Sequence, residues 1–489
     1  MNKKRVVIIG GGLGGISAAI SLQSSGFQAV LIEKNNHIGG KLHEVSLGSS
    51  RFDFGPNTIT MPGVFNEVIK RSGQNPEDFF NFIKLTDHTT NSFYDHSSFT
   101  FSSNKEKMKE ELLQIDPRSA DNYEAYLNET SRLFHTAENH FLRRTFKSWK
   151  DYLSLPLMKA LMTTRPLENL DHFHRRFFKD ERILAAFNRY ATYIGSSPYY
   201  SPATFGLIGH LELGDGVYYT MGGNYKIAEG MERAAELIGV EIMKGREVTS
   251  LEGADGKIKE VVIDNDNSLQ ADAVVLNGDL LTQFPRLVDE KNRPSFTNKK
   301  AAAADPSISA YVLLAASDRK FDLNHHHVFF SENPGAEFRS IFQEESYGID
   351  PTIYICTSSK TEPAMSPRGD NMFFLINAPP LSKSGNQESI SQEFVLKKMK
   401  SHGLDIAPSI IDSKTVTPAD IKNKFYAYRG ALYGISSNKR KNTFLRPYNK
   451  AVDFSNLYFT GGSTHPGGGS PMVTLSGMNV ADLIYKEHR

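Results

Sequence analysis

Four apolar residues, Val6-Val7-Ile8-Ile9, run directly into Gly10-Gly11-Gly12-Leu13-Gly14-Gly15 and then into the helix-forming run Ile16-Ser17-Ala18-Ala19-Ile20. A buried strand, a tight glycine turn and a helix start in this order spell the G-x-G-x-x-G dinucleotide-binding fingerprint. Gly10 lets the chain turn sharply off the strand, and Gly12 lets the backbone approach a pyrophosphate. Gly15, with small Ala19 one turn on, lets the helix pack close to the sheet, so that its N-terminal amides and dipole face phosphate. Eighteen residues after Gly15, Val30-Leu31-Ile32 ends in Glu33, placed to accept a hydrogen bond from a ribose 2′-hydroxyl. A nucleotide-binding α/β unit at the start of the chain is the expectation.

At 489 residues the chain is long enough for two or three domains. Its net charge of +1 points to no nucleic-acid partner. The single cysteine, Cys356, excludes an internal disulfide, argues for a reducing, cytoplasmic setting and reads as a core residue. Lys3-Lys4-Arg5 before the apolar run mimics a signal peptide, but the run is too short for a secretory h-region. No stretch approaches the roughly 20 apolar residues of a membrane span.

Residues 1–60 read β-α-β, with a second glycine cluster at His37-Ile38-Gly39-Gly40-Lys41 followed by Phe52-Asp53-Phe54-Gly55-Pro56. Residues 105–210 read as helical and mixed, a helix is predicted over 225–238, and strands over 240–243, 248–251, 260–263 and 273–277. Residues 305–380 alternate strand patterns with turns. The chain ends as strand Leu457-Tyr458-Phe459, a loop from Gly461 to Pro471 holding five glycines, and a helix from Met472. That helix offers a second N-terminus to a ligand held by the first, so the nucleotide domain is expected to be discontinuous.

A Rossmann turn alone does not separate FAD from NAD. The Gly39-Gly40-Lys41 cluster after Glu33, the Phe52-Asp53-x-Gly55-Pro56 element, and Tyr458-Phe459-Thr460-Gly461 with His465-Pro466-Gly467 resemble the FAD-binding elements of the amine oxidase/phytoene desaturase superfamily. Nearly the whole chain is similar to bacterial enzymes acting on C30 (diapo) carotenoids. Thr474-Leu475-Ser476-Gly477 and Tyr433-Gly434-Ile435-Ser436-Ser437-Asn438-Lys439 resemble the terminal-methyl oxygenase branch, the diaponeurosporene and diapolycopene oxygenases, more than the desaturase branch. Asn128 departs from the family, standing where desaturases carry an acidic residue.

The resemblance implies an α/β (α+β) fold: a Rossmann-like FAD-binding domain with a discontinuous substrate-binding domain of mixed sheet and helices. It divides the chain into FAD-binding parts at 1–85, 216–290 and 426–489, a helical substrate- and membrane-associating region at 86–215, and a substrate-binding domain at 291–425. It implies FAD held by Gly10, Gly11, Gly12, Leu13, Gly14, Gly15, Glu33, Lys34, Gly40, Lys41, Gly55 and Pro56. Val248, Gly461, Gly462, Pro471, Met472 and Val473 complete that set. The implied activity is oxidation of a terminal methyl of a C30 carotenoid to an aldehyde, with molecular oxygen as co-substrate. A carotenoid desaturase, a small-amine oxidase and a non-catalytic isoprenoid carrier are the competing readings.

Two residues are candidates for the chemistry. His465, in the glycine-rich loop, is placed for a polar role near the flavin ring, the alternative being a histidine hydrogen-bonded within the loop. Arg429 is placed to hold a pyrophosphate or a substrate end, or else forms a surface salt bridge. His325-His326-His327 invites a metal, but neighbours in an extended segment alternate faces, and none is expected. Arg143, Arg144, Lys147 and Lys150 flank Trp149 and precede a Leu- and Met-rich stretch, which suggests a segment lying on a membrane surface. The expected location is cytoplasmic and peripheral to a membrane, with the lipid-soluble carotenoid entering from the bilayer.

Overall fold

The computed structural model describes residues 3–383 and 389–488. Five parallel strands form one sheet: β1 (Arg5–Ile9), β2 (Gln28–Glu33), β3 (Glu241–Lys244), β4 (Ala273–Leu276) and β5 (Leu457–Phe459), in the spatial order β5-β4-β1-β2-β3. Val6-Val7-Ile8-Ile9 is buried on both faces, as a parallel strand covered on each side must be. Helix α1 (Leu13–Ser24) is buried almost all round. It packs between the sheet and the last helix, α2 (Ser470–His488), which covers the same face together with helix Lys226–Leu237. An antiparallel three-stranded sheet (Val248–Ala254, Lys257–Ile263, Asn267–Gln270) covers the other face through Leu251, Val261 and Ile263. Stretches from the start, the middle and the end of the chain thus build one sheet.

A second, seven-stranded mixed sheet is built mainly from residues 309–416, with Ser309–Ser317 pairing antiparallel to Asn371–Ala378 along eight residue pairs. Two of its strands, Asp87–Ser92 and Ser98–Ser102, come from the stretch read as helical, and His326–Phe329 runs parallel to the first of them. Their alternation is broken by polar residues such as Asn91 and Ser102, which are buried here and hide the period-two signal. The helical region, with Pro117–Ala137 and Glu181–Asn188 at its centre, packs Tyr123, Tyr126, Phe173, Phe187 and Tyr190 into a largely aromatic core.

Candidate functional site

Two cavities meet where the Rossmann-like sheet, the seven-stranded sheet and the helical region converge. The first has a volume of about 330 Å³ and is lined at one end by Gly10, Gly12, Leu13 and Gly14, with Glu33 and Lys34 from the end of β2. Gly40, Lys41, Gly55, Pro56 and Val248 continue its wall, and Gly461, Gly462 and Val473 close it. The first residues of both helices, Leu13 of α1 and Ser470 of α2, lie on this one cavity, so two sets of helix N-terminal amides are available to an anion.

The turn is tight for reasons the atoms make plain. Gly10 has a φ of +98°, and a Cβ there would lie 2.8 Å from the Asn277 carbonyl oxygen. A Cβ on Gly15 would lie 2.0 Å from the carbonyl oxygen of Gly10, so Gly15 faces the turn rather than the cavity. Gly11 is likewise behind the wall, and its N–H donates to Glu33 Oε2 at 2.7 Å. The other carboxylate oxygen accepts the N–H and side-chain amide of Asn35 at 2.8 and 2.6 Å. Glu33 is thereby locked in a buried position, Oε1 accepting two bonds and Oε2 one, so that Oε2 keeps a lone pair for a further donor.

These residues fit FAD. Gly12 is open on the cavity side, a Cβ there meeting only the Asn277 side-chain nitrogen at 3.2 Å, and that is the room a pyrophosphate needs against backbone. Buried Glu33, which lines the same cavity, could offer Oε2 to a ribose hydroxyl. Lys34 sits over the Tyr426 ring at 4.1 Å, with Arg286 over the same ring at 4.8 Å. Lys41 donates to the Leu432 carbonyl, and burial holds its ammonium down to about 8. Asn277 and Asp279, absent from the expected set, also line this cavity. Asn277 Nδ2 donates to the Gly10 carbonyl at 3.0 Å, its Oδ1 accepts from Thr460 at 2.9 Å, and Asp279 accepts from Ser463 at 3.1 Å. The signal for them was a polar Asn-Gly-Asp immediately after the buried strand Ala273–Leu276, at the carboxyl end where α/β sheets bind ligands.

The second cavity, about 290 Å³, is walled by Phe141, Phe146, Leu207, Ile208, Leu211 and Phe373 among other apolar residues. It shares Gly55, Pro56, Leu432, Tyr433 and Gly468 with the first, so the two are continuous. Pro471 and Met472 lie on this apolar cavity rather than on the first. The reason is that α2 begins at Ser470, two residues earlier than expected, which turns the next two side chains away.

His465 lines the apolar cavity. Its Nε2–H donates to the Phe141 carbonyl at 2.8 Å, its ring meets Phe146 edge-on, and burial pushes its pKa down to about 4. It is a neutral imidazole tying the glycine-rich loop to the helical region. His465→Ala is therefore expected to slow turnover roughly ten- to hundredfold by loosening the wall, with FAD content near normal. The wild-type pH–rate profile should show no inflection between pH 6 and 7 that this variant removes. Arg429 lines neither cavity. Its guanidinium donates to the Leu381 carbonyl and to Glu345 at 2.8 Å, so it is a structural tether and not a ligand for phosphate or substrate.

The histidine triplet does not alternate strictly, because His325 precedes the strand His326–Phe329. His327 Nε2 pairs with Ser92 Oγ at 2.8 Å, while His325 and His326 turn toward Cys356. One ligand atom from each of these three lies within 4.8 Å of the others. His325 pairs with Thr361 at 2.6 Å and His326 with Tyr354 at 2.8 Å, and burial keeps both imidazoles neutral and drives the Cys356 thiol up. All three are buried.

The chain's relatives agree with this geometry. A family model described as flavin containing amine oxidoreductase matches residues 13–485. The 4,4'-diapolycopene oxygenase of a Methylomonas species is 34% identical, covering 99% of this chain and 98% of its own. The 1-hydroxycarotenoid 3,4-desaturase of a Flavobacterium species is 33% identical, covering 98% of this chain and 99% of its own. Among solved structures, a fatty acid isomerase from P. acnes that produces CLA superimposes with a TM-score of 0.63 over 99% of this chain and 98% of its own, at 14% identity.

Proposed function

Because the chain belongs to the flavin containing amine oxidoreductase family, we propose that it is an FAD-dependent oxygenase converting the terminal methyl group of a C30 carotenoid to an aldehyde. The observation that carries the substrate side of this reading is the apolar cavity continuous with the cofactor cavity through Gly55, Pro56, Leu432 and Tyr433. The relatives named as diapolycopene and diaponeurosporene oxygenases support the reaction. Bound in the first cavity, FAD supplies the two-electron redox chemistry. The chain's part is to hold a polyene end at the junction of the cavities and to exclude water with Phe141, Phe146, Leu211 and Phe373. In balance, one methyl and one dioxygen give one aldehyde and one water.

The test is product analysis with pure C30 polyene under isotope-labelled oxygen gas. The expected product gains one labelled oxygen and loses two hydrogens. A product that has only lost hydrogen pairs would replace this reading with a desaturase, which the 1-hydroxycarotenoid desaturase relative supports.

Among the described residues no helix is long and apolar enough to cross a membrane. The substrate's route in is proposed to be the surface at residues 149–167, beside Phe146 and Thr164 of the apolar cavity. There Trp149, Leu153, Leu155, Met158, Met162 and Leu167 stand out in solvent, Leu155 and Met162 being 80% and 72% exposed. The neighbouring cations contribute less than their number suggests, since Arg143 pairs with Glu67 at 2.8 Å and Lys147 with Glu487 at 3.1 Å. Leu155→Glu with Met162→Glu is expected to weaken co-sedimentation with anionic vesicles about tenfold or more. Neutralising Arg143 and Lys147 should change it by less. The reverse order would make this an electrostatic surface, and no change in either would move the portal elsewhere.

A further inference from the structure

Two charged side chains line the mostly apolar substrate cavity: Arg446, which donates to the Ile435 and Gly462 carbonyls at 3.1 and 3.0 Å, and Arg189, which has no such backbone partner among the described residues. Arg189 lies at the start of the turn Arg189–Ile194, lines the cavity and is only 8% exposed. Its Nη1 donates to the Tyr193 hydroxyl at 3.4 Å, and that hydroxyl donates in turn to Glu212, which is fully buried. Tyr193 thus bridges a buried guanidinium and a buried carboxylate. The pairing is incomplete: Arg189 Nε and Nη2, and Glu212 Oε2, have no hydrogen-bond partner among the described residues.

A guanidinium keeps its charge and carries five N–H donors. Leaving such donors unpaired in an apolar wall is costly, and folded proteins avoid it unless something else supplies the acceptor. A hydrocarbon polyene offers Arg189 nothing. We propose that Arg189, held by Tyr193 and balanced by Glu212, recognises an oxygen atom on one end of the polyene, so that the cavity selects chains carrying a terminal hydroxyl or aldehyde over bare hydrocarbons. An aldehyde accepts from Arg189, and an alcohol accepts in the same way. The substrate class is accordingly a partly oxidised polyene, which an earlier oxidation of a terminal carbon, by this chain or another, must supply. This inference rests on reading the apolar cavity as the polyene site.

The test measures binding of three matched C30 polyenes, the hydrocarbon, its terminal alcohol and its terminal aldehyde, to the purified holoenzyme in detergent micelles. Shifts in the polyene absorbance report occupancy. Wild type is expected to bind both oxygenated chains about ten- to hundredfold more tightly than the hydrocarbon, the range for hydrogen bonds to a buried charge. In Arg189→Met combined with Glu212→Gln, which leaves no uncompensated charge, the ratio of affinities should fall toward one. Tyr193→Phe, a milder change, should lower the ratio several-fold with flavin content and melting temperature close to wild type. Equal affinities in wild type, or a preference that survives in these variants, would overturn the proposal alone. Failure of all three polyenes to bind wild type would overturn the carotenoid reading and this proposal with it.

Discussion

Gly12→Val is expected to give a folded chain that has lost FAD. Gly12 is the N-cap of α1 with φ −64° and ψ 170°, a conformation any residue adopts. A Cβ there meets only the flexible Asn277 side chain, so the apoprotein should melt near the wild-type temperature. The branched side chain instead projects into the cavity at the turn that faces phosphate, and the affinity for FAD should fall at least a hundredfold, about 3 kcal/mol. Gly15→Ala is the contrasting variant. Its single methyl would lie 2.0 Å from the Gly10 carbonyl oxygen, so the turn itself must open and the apoprotein should lose stability. Flavin absorbance after reconstitution and thermal unfolding of the apo chains separate the two effects. A Gly12→Val chain with full flavin, or a Gly15→Ala chain as stable as wild type, would contradict the assignment. At the acid, Glu33→Ala strips acceptors from Gly11 and Asn35 and Glu33→Gln sets an amide NH2 against the donors of one of them, so both are expected to lower stability together with ribose binding.

The second large effect is expected far along the chain, at Gly477. Where α2 crosses α1, a Cβ on Gly477 would lie 2.1 Å from both the Gly14 carbonyl oxygen and Ser17 Oγ. The helices are stitched at this point by Ser17 Oγ, which donates to the Thr474 carbonyl at 2.9 Å. Gly477→Leu therefore forces apart two helices whose first turns both line the cofactor cavity. A destabilisation of about 3 kcal/mol or more is expected, at the upper end of overpacking costs, together with flavin loss. Gly63→Ala is the control, since a Cβ there meets nothing within 4 Å in helix Pro62–Arg71. It should be neutral or stabilising by up to about 1 kcal/mol. Equal stability of Gly477→Leu and wild type would show that the crossing relaxes freely.

The cofactor side of this protein was legible because its determinants are local. Val6-Val7-Ile8-Ile9 can only be a covered strand, the glycines after it satisfy a turn within six residues, and Glu33 closes the unit on the neighbouring strand. The glycine loop before α2 announced itself in the same way. Val248 was reachable only through resemblance, and Asn277 was passed over because its partners, Gly10 and Thr460, lie 267 residues before and 183 after it.

Residue type and spacing determined that the chain carries a strand–glycine turn–helix nucleotide site and that its last helix offers a second N-terminus to it, while FAD as the cofactor came from the resemblance of its motifs to a known family. Only the tertiary structure decided which side chains face which cavity. It turned Arg429 into a tether by bringing Glu345 and the Leu381 carbonyl to it, neutralised Arg143 and Lys147 with Glu67 and Glu487, and locked His465 to Phe141. It also placed Arg189 and Glu212 around one tyrosine inside an apolar wall. A turn is set by the backbone angles of adjacent residues, and those are written in the residue types. Charge pairing, burial and cavity walls depend on which distant segments pack together, and that is settled only when the whole chain has folded.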